Sequence, residues 1–522
     1  MSDFKVLMLY PNTQTEMMPP PVVALFSALL KREGFKVALF DTTNYEIETE
    51  FVDPEGTTRK LVNSERVKAN LLTVRPFPLL AKERKTTNAY EDFRKQVESF
   101  GPDLIMVTAT ENMFPMAINL LSYVDDLGVP AVLGGVFATF APELAMRWRE
   151  IDMLCVGEGE RALMELCRRM ERGQDFSDIP GLWVRQKDGA IKRNPMGLRV
   201  NMEENPLPDY SIFDDSRFYR PMAGKIWRIF PAETHRGCPY TCSFCNSPSQ
   251  DRLYASATGQ KFFRKKSFPA VREELLYYRD TWRAEYIFFW ADTFFAWSDT
   301  EFNEFCEMYQ DIRLPFWCQT RLETVNEDRI KKLKDIGIHR MGFGIEHGNE
   351  RFRKEVVKRP YKNEMVVERM KIPAQYDVEF SVNNIIGFPD ETRALAFDTI
   401  ELNRKIKSDT MSCSIFTPYH GTELRQLAIN RGYLHPDTIC PTNSDDTVLR
   451  MPPPFFSKEE LRGLRRTFVM YVKFPKRRWP EIHKAEELTP EGDGIWEGLR
   501  EEFVQTFFAP PETDIEKINA TA

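Results

Sequence analysis

Residues 235–246 read His-Arg-Gly-Cys-Pro-Tyr-Thr-Cys-Ser-Phe-Cys-Asn and place Cys238, Cys242 and Cys245 in a C-x3-C-x2-C spacing. Three thiolates so close together can bind one face of a small iron–sulfur cube. A [4Fe–4S] cluster usually takes four protein thiolates, so three ligands leave one iron open. The stretch therefore predicts a cluster whose open iron binds a further molecule.

Two other metal sites fit this stretch less well. A structural zinc site needs a fourth Cys or His at short spacing, and the nearest candidate is His235. An electron-transfer ferredoxin needs a fourth cysteine nearby, yet the next one after Cys245 is Cys306. The ligand count thus favours the open cluster over zinc or plain electron transfer.

The stretch resembles the signature of the radical S-adenosylmethionine (SAM) enzymes. This resemblance implies that Cys238, Cys242 and Cys245 hold a [4Fe–4S] cluster whose open iron chelates SAM. It also implies that Phe244 packs beside the cluster and the adenine. The chemistry of that superfamily is reductive cleavage of SAM to a 5′-deoxyadenosyl radical, which abstracts hydrogen from a substrate.

Composition sets the broad class of the protein. The 522 residues suffice for two or three domains. With 71 Lys and Arg against 78 Asp and Glu, the chain lacks the basic field of a nucleic-acid-binding protein. Of the nine cysteines, three form the tight cluster and the other six are scattered, which is typical of a reducing compartment. No apolar stretch reaches the ~20 residues of a membrane helix, so we expect a cytoplasmic protein without a membrane span.

The N-terminal part alternates buried strands with helices, which predicts an α/β fold with a doubly wound, Rossmann-like parallel sheet. Ligands of such sheets bind at the carboxyl ends of the strands. The predicted strands are residues 5–10, 36–40, 104–108, 131–133 and 153–156, with helices over 22–33 and about 116–127. The candidate binding loops are Pro11–Pro21, Thr108–Phe114 and Gly134–Thr139.

This part resembles the cobalamin-binding domain that precedes the radical SAM domain in one branch of that superfamily. The resemblance implies a cobalamin site and assigns five residues to it: Thr110, Gly134, Gly135, Thr139 and Gly157. The Asp-x-His-x-x-Gly signature is absent, and no histidine precedes His235. Either cobalamin is bound without a histidine ligand to cobalt, or the domain is a scaffold that has lost the cofactor; we favour bound cobalamin.

Composition changes along the chain divide it into four segments. Residues 1–178 are the doubly wound domain, 179–222 a linker containing a hairpin near Leu182–Lys192, 223–435 the radical SAM barrel, and 436–522 a small, mainly helical C-terminal region. A charged, weakly periodic insertion between about residues 61 and 100 is interpreted as a surface excursion. The final residues, from about Pro510, are expected to be disordered.

Six strands with polar endings predict a partial (β/α)6 TIM-like barrel with its chemistry at the strand ends. They are residues 227–233, 285–290, 315–320, 339–343, 379–386 and 412–417. Asp292 and Glu346 are candidate acceptors for the ammonium group or ribose of SAM. An ion pair or a helix N-cap is the structural alternative for both. The resemblance implies that they face SAM and that the strand before Gly387 runs beside the adenine.

No catalytic residue is assigned from the sequence. His235, His347 and His420 lie beside the predicted loops, but buried, hydrogen-bonded histidines are common.

The resemblance implies a cobalamin-dependent radical SAM C-methyltransferase. It would transfer a methyl group from methylcobalamin to an unactivated carbon after hydrogen abstraction. A radical SAM oxidoreductase or anaerobic cyclase is the alternative, with cobalamin used differently or absent. An iron–sulfur electron carrier with a structural doubly wound domain is a third interpretation. Expected partners are a small-molecule or peptide substrate and an electron donor such as flavodoxin or ferredoxin.

Overall fold

The computed structural model describes residues 2–13, 18–47, 49–52, 58–61, 72, 75, 85–441 and 446–508. Within these ranges the chain builds two seven-stranded sheets, each with helices of its own. The predicted disordered end after about Pro510 and part of the Pro11–Pro21 loop lie outside the described residues.

The first sheet has the strand order β2-β1-β5-β6-β7-β8-β9, and its first five strands are parallel. Alternate residues of β1 pack in two different apolar clusters. Val6 and Met8 belong to one cluster, and Leu7 and Leu9 belong to the other. Both faces of the sheet are therefore covered, as a doubly wound fold requires. The strands of this half are β1 Lys5–Tyr10, β2 Lys36–Asp41, β3 Thr49–Val52, β4 Thr58–Leu61, β5 Leu104–Thr108, β6 Ala131–Gly134, β7 Met153–Cys155, β8 Leu182–Arg185 and β9 Ile191–Arg193, of which β3 and β4 pair separately.

The helices of this half follow the strands in alternation. Pro21 stands at the first position of α1, where the missing N–H of proline costs nothing. The helices are α1 Pro21–Arg32, α2 Ala89–Phe100, α3 Phe114–Ser122, α4 Val136–Phe140, α5 Pro142–Ala145 and α6 Glu160–Glu171.

Helix α2 corrects the surface-excursion interpretation for residues 89–100, whereas most of residues 62–84 lie outside the described residues. Its three buried residues are Ala89, Phe93 and Val97, spaced at i, i+4 and i+8. Asn88 caps the helix by accepting from the N–H groups of Tyr90 and Glu91. A single narrow apolar stripe among many charges is a weak periodic signal, which is why the helix was missed.

The segment predicted to be a linker contributes strands to both sheets. The predicted hairpin is present, and β8 pairs antiparallel with β7, so the hairpin extends the first sheet. The last residues of the segment, Tyr219–Met222, form the edge strand of the second sheet and pair antiparallel with Lys225–Ala232. Which sheet a hairpin joins depends on its partner strand, which the hairpin's own residues do not encode.

The second sheet has the order β10-β11-β14-β15-β16-β17-β18, with six parallel strands from β11 onward. This strand-and-helix repeat confirms the partial (β/α)6 barrel. The strands are β10 Tyr219–Met222, β11 Lys225–Ala232, β12 His235–Arg236, β13 Arg264–Lys265, β14 Tyr286–Phe289, β15 Phe316–Arg321, β16 Ile338–Glu346, β17 Glu379–Ile386 and β18 Thr410–Ile415, of which β12 and β13 form a separate ladder.

The helices of the second half cover one side of this sheet and form the C-terminal region. Helix α15 begins with a capping box, in which the Ser457 and Glu460 side chains each accept from the other's backbone N–H. The helices are α7 Ser247–Thr258, α8 Phe268–Asp280, α9 Asp299–Tyr309, α10 Glu327–Asp335, α11 Glu350–Glu355, α12 Asn363–Gln375, α13 Arg393–Asn403, α14 Glu423–Asn430, α15 Lys458–Lys473, α16 Trp479–Lys484 and α17 Pro490–Phe503. Among the described residues, no helix combines the length and apolarity needed to cross a bilayer.

Candidate functional site

The cysteine loop leaves the second sheet after β11 and the short strand β12. Gly237 has φ +85°, and a Cβ there would lie 2.9 Å from the Phe262 ring and 3.2 Å from the Phe263 backbone. Glycine is thus required at this turn, both for its backbone conformation and for space. Beyond it, Cys238 and Cys245 are partly exposed while Cys242 is buried.

Two thiols of this loop, Cys238 and Cys245, hold their protons more tightly than an exposed thiol does. Burial raises the pKa of Cys238 to about 12 and that of Cys245 to about 11, with the nearby thiols and Asp292 acting in the same direction. In the described part of the chain, no three His, Cys, Asp or Glu side chains converge on one metal ion. An iron–sulfur cube holds its thiolates at separate corners, so three thiols and an open side suit a cluster better than a single ion.

Two buried guanidinium groups donate hydrogen bonds to the sulfur of Cys242. Arg321 Nη1 lies 3.0 Å and Arg359 Nε lies 3.2 Å from Cys242 Sγ. Arg359 also donates to the Gly344 carbonyl at 2.7 Å. Cations and N–H donors stabilise a thiolate, so these arginines favour the metal-binding form of Cys242.

Glu346 is buried at the end of β16 and pairs with Arg359 at 3.2 Å. Burial raises the pKa of its carboxyl, while Arg359 and Arg321 oppose the rise. Its φ of +65° is unusual for a residue with a side chain. Such backbone strain concentrates at functional sites. The ion pair considered as a structural alternative is therefore present, within contact range of the cysteine loop.

Asp292 follows β14 and stands exposed at the rim of the same site. Ser247 Oγ donates to its carboxylate at 2.5 Å. The protein around it limits hydration, and this desolvation raises the pKa of Asp292. Among the described residues no Lys, Arg or His forms an ion pair with Asp292, so this carboxylate is available for a cationic ligand.

A fully buried carboxylate accepts hydrogen bonds from the backbone at Gly387. Glu391 accepts from the N–H groups of Gly387 at 2.6 Å and Phe388 at 3.0 Å, and His347 Nε2 lies 3.1 Å away. Gly387 has φ +82°, and a Cβ there would lie 2.9 Å from Leu461. Phe244 packs edge-on against Phe388 with ring centroids 6.3 Å apart.

The first sheet presents its own cluster of loops at the carboxyl ends of its strands. Gly135 is exposed with φ +113°, and a Cβ there would lie 2.7 Å from the Ala109 carbonyl oxygen. Thr110 is exposed on the neighbouring loop, and Val136 exposes 46% of its surface although it is apolar. A glycine pair beside an exposed apolar side chain suits a broad, partly apolar ligand lying against backbone.

Thr139 and Gly157 have structural partners. Thr139 Oγ1 accepts from the Gly157 N–H and donates to the Gly135 carbonyl, both at 3.0 Å. A Cβ on Gly157 would lie 2.7 Å from the Tyr254 hydroxyl, which belongs to α7 of the second half. These two residues therefore fix the shape of the loops, and Gly157 faces protein.

A buried charge network joins this loop to the cysteine loop. Arg236, two residues before Cys238, hydrogen-bonds Glu158, Glu160 at 2.7 Å and Glu233 at 3.0 Å. Arg264 also pairs with Glu158. The two glutamates of the loop Gly157–Glu160 thus bind the second half of the chain.

A second junction connects the loop after β5 with the loop after β18. Glu111 accepts from the N–H groups of His420 at 2.9 Å and Cys440 at 2.8 Å, and His420 Nδ1 lies 2.9 Å from it. Burial alone would raise the pKa of Glu111, but its contacts with His420 and Arg425 lower it overall. The carboxyl ends of the two sheets are consequently packed against each other.

Of the histidines beside these loops, His235 and His347 are buried with hydrogen-bonded rings, and His420 is partly buried beside Glu111. His235 Nε2 lies 2.9 Å from the Thr293 carbonyl, and burial lowers the pKa of His235 to about 4. His347 contacts Glu391, and His420 contacts Glu111. Their positions give each a structural partner.

Several residues of the site were not found from the sequence. Arg359 and Tyr254 carry no motif that separates them from other arginines and tyrosines of the chain. Glu111 lay within a predicted loop but was not singled out. Each acts through a partner more than 90 residues away, which local sequence patterns do not reveal.

Comparison with known protein families matches two domains in this chain. The radical SAM superfamily matches residues 233–402, and the B12 binding domain matches residues 80–167. These ranges contain the cysteine loop and the loops after β5, β6 and β7, respectively.

Individual relatives point in the same direction. An uncharacterized methyltransferase of Pyrococcus horikoshii is 28% identical over 391 residues, covering 74% of this chain and 82% of that protein. The anaerobic magnesium-protoporphyrin IX monomethyl ester cyclase of Rubrivivax gelatinosus is 23% identical, covering 65% of this chain and 61% of that protein. The solved structure of the radical SAM methyltransferase TsrM from Kitasatospora setae, with cobalamin and a [4Fe–4S] cluster bound, has the same fold: TM-score 0.62, 15% identity, 96% of this chain and all of that chain.

Proposed function

The chain is a radical SAM enzyme with a B12-binding domain, and we propose that it transfers a methyl group to an unactivated carbon of its substrate. The proposal names a [4Fe–4S] cluster, SAM and cobalamin as its cofactors. Such cofactors carry the difficult chemistry, while the protein binds, orients and excludes water.

The observation that carries the proposal is the contact between the carboxyl ends of the two sheets. The Glu111 junction and the Arg236 network hold the loops of the B12-binding domain against the rim of the barrel. Methyl transfer to a carbon radical requires the methyl donor within bonding distance of that carbon. The contacts that hold the strand ends of the two sheets against each other support this proximity, whereas a simple electron carrier has no need of it.

The residues at the rim divide the binding tasks. Cys238, Cys242 and Cys245 would hold the cluster, and Arg321 and Arg359 would stabilise the Cys242 thiolate. Asp292, a carboxylate without a cationic partner in the described chain, would accept the ammonium of SAM. Gly387 and Phe244 would border the adenine, with Glu346 fixing Arg359 between them and the cysteines. These assignments place the SAM site at the rim of the barrel, with a carboxylate for the ammonium group.

On the opposite side, Thr110, Gly134 and Gly135 would contact cobalamin. Thr139 and Gly157 would act indirectly, because their contacts within the protein shape those loops. No histidine precedes His235 in the sequence, so the B12-binding domain offers cobalt no imidazole ligand of its own.

When bound, these groups supply radical formation from SAM at the cluster and a methyl group carried by cobalamin. The protein's part is to hold substrate, SAM and cobalamin in line and to keep water from the radical. We propose that reducing equivalents come from a flavodoxin or ferredoxin.

Product analysis tests the proposal. The reconstituted full chain is incubated without oxygen with SAM, a reductant and candidate substrates, and nucleoside products are quantified. Methyl transfer predicts 5′-deoxyadenosine together with S-adenosylhomocysteine, with the methyl label of SAM recovered in the product. The cyclase named among the relatives gives the alternative: 5′-deoxyadenosine without S-adenosylhomocysteine would overturn methyl transfer.

A further inference from the structure

The inner face of the barrel sheet is open, which is unusual for a parallel sheet. Strand β17 alternates partly exposed and buried residues along its whole length, and β18 does so from Met411 onward. Parallel sheets normally bury both faces under helices. Here the buried set, such as Val382 and Met411, packs in the apolar core. The partly exposed set therefore lines an accessible inner face.

One side of the inner face is an aromatic wall. Phe288 and Trp317 stack with ring centroids 4.1 Å apart and an angle of 15° between their planes. The ring centroid of Trp290 lies 6.1 Å from that of Phe288, and Trp290 exposes 45% of its surface. Trp317 lies flat against β16 because Gly342 has no side chain: a Cβ there would lie 2.9 Å from the indole.

The other side of the inner face is polar and neutral. Strand register brings Asn383 beside Ser412, and Ser412 Oγ donates to Asn383 Oδ1 at 2.9 Å. In the described chain, the hydroxyls of Ser381 and Ser414 have no hydrogen-bond partner in the protein. Their partial exposure leaves both hydroxyls free for a ligand.

The charges near this face are already neutralised. Arg340, lower on β16, pairs with Glu379 at 2.7 Å and donates to Thr410 Oγ1 at 2.6 Å. The other charged groups, including Asp292 and Glu346, stand at the rim, where the SAM site is proposed. An ionised ligand group placed deep on the inner face would therefore lose its hydration without gaining a partner.

We propose that the inner face binds an uncharged aromatic or heteroaromatic ring of the substrate. The ring would stack on the Trp290, Phe288 and Trp317 wall, and its polar edge would bond Ser381 and Ser414. This inference rests on the proposed function, since it names the substrate class of the same site. It excludes substrates whose inserted part is a phosphate, a carboxylate or a saturated chain.

The test uses three probes of similar size with the full chain, its cluster reconstituted and SAM present without reductant. They are 2-naphthamide, the anionic 2-naphthoate and the saturated decahydronaphthalene-2-carboxamide, each measured by calorimetric titration. We expect 2-naphthamide to bind at least tenfold more tightly than either of the others. W290L should weaken 2-naphthamide at least fivefold and leave the saturated amide unchanged. The double variant S381A/S414A should weaken it three- to tenfold.

Tyr123, an exposed aromatic residue of the first half with 42% of its surface accessible, provides the matched control. Y123L should bind all three probes like the unmodified chain. Equal binding of the three probes, no binding up to their solubility limits, or an unaffected W290L would overturn the inference. If one of these overturning results is found while 5′-deoxyadenosine and S-adenosylhomocysteine still form with another substrate, the inferred substrate class is wrong and the proposed function stands.

Discussion

Replacing Arg236 by Met should loosen the junction between the two sheets. The Arg236 guanidinium bonds Glu160 at 2.7 Å and also pairs with Glu158 and Glu233. The side chains of Glu158 and Glu160 are only 5% and 8% exposed, so the substitution leaves buried carboxylates without this partner. Removing one member of a buried pair costs about 3–5 kcal/mol.

The lower end of that range applies, because Arg264 still neutralises Glu158 and Arg236 is itself 19% exposed. For domains of 150–250 residues, each kcal/mol lowers the melting temperature by about 2–4 °C. We therefore expect R236M to melt about 6–12 °C below the unmodified chain in differential scanning calorimetry.

Two further variants distinguish the loss of a buried ion pair from a general destabilisation by any substitution. R161M removes an exposed pair with Glu204, 57% and 62% accessible, and should cost less than about 1 kcal/mol. E160Q placed in the R236M background should recover part of the lost stability, because it removes an unpaired buried charge. The account of the junction is refuted if R236M melts like R161M, or if E160Q lowers the stability of R236M further.

Three other predictions concern single side chains. His235 has a folded-state pKa of about 4, below the ~6.5 of an unfolded histidine, so the unfolded chain takes up the proton first and stability falls with pH below 6.5. Between pH 7 and pH 5 the loss of stability amounts to about 2 kcal/mol. The melting temperature of H235N should therefore depend less steeply on pH over this range, and an equal pH dependence in both proteins would contradict the prediction. R359M removes a donor to Cys242 and should lower the cluster's reduction potential by about 60 mV in an EPR redox titration, equivalent to ~1.4 kcal/mol for one electron, whereas an unchanged potential would argue against the contact. E391A leaves the donors on Gly387, Phe388 and His347 without an acceptor and should destabilise the chain by more than about 3 kcal/mol; E391Q keeps a carbonyl acceptor and should cost less, and equal losses would exclude the proposed role of the acceptor oxygen.

Three of the parallel strands could be predicted from the sequence to the residue, whereas β16 continues three residues beyond its predicted end. Lys5–Tyr10, Leu104–Thr108 and Glu379–Ile386 are found at their predicted bounds because each is a short run rich in apolar residues, bounded by polar or turn-forming residues. Burial of a strand is a local property that such runs encode directly. Helix α2 was missed for the converse reason, since only three of its twelve residues are buried.

The cysteine loop could be located from spacing alone, but its surroundings could not. Arg321 and Arg359 reach Cys242 from positions 79 and 117 residues away. Their approach depends on how β15 and the loop after α11 are placed by the barrel. Glu158 shows the same limit: its neighbour Gly157 is predicted to contact cobalamin, whereas in the structure the Glu158 carboxylate bonds arginines of the other half.

The most direct test of the whole account is the cofactor content of the full chain, purified without oxygen after expression with a cobalamin supply. Iron, sulfide and corrinoid are measured per chain, alongside C242A and C318A, the latter a buried cysteine outside the loop. The account predicts about four irons and one corrinoid for the unmodified chain and for C318A, and loss of iron with retained corrinoid for C242A. A chain that holds the cluster but no corrinoid, or a C242A variant that keeps its iron, would contradict it.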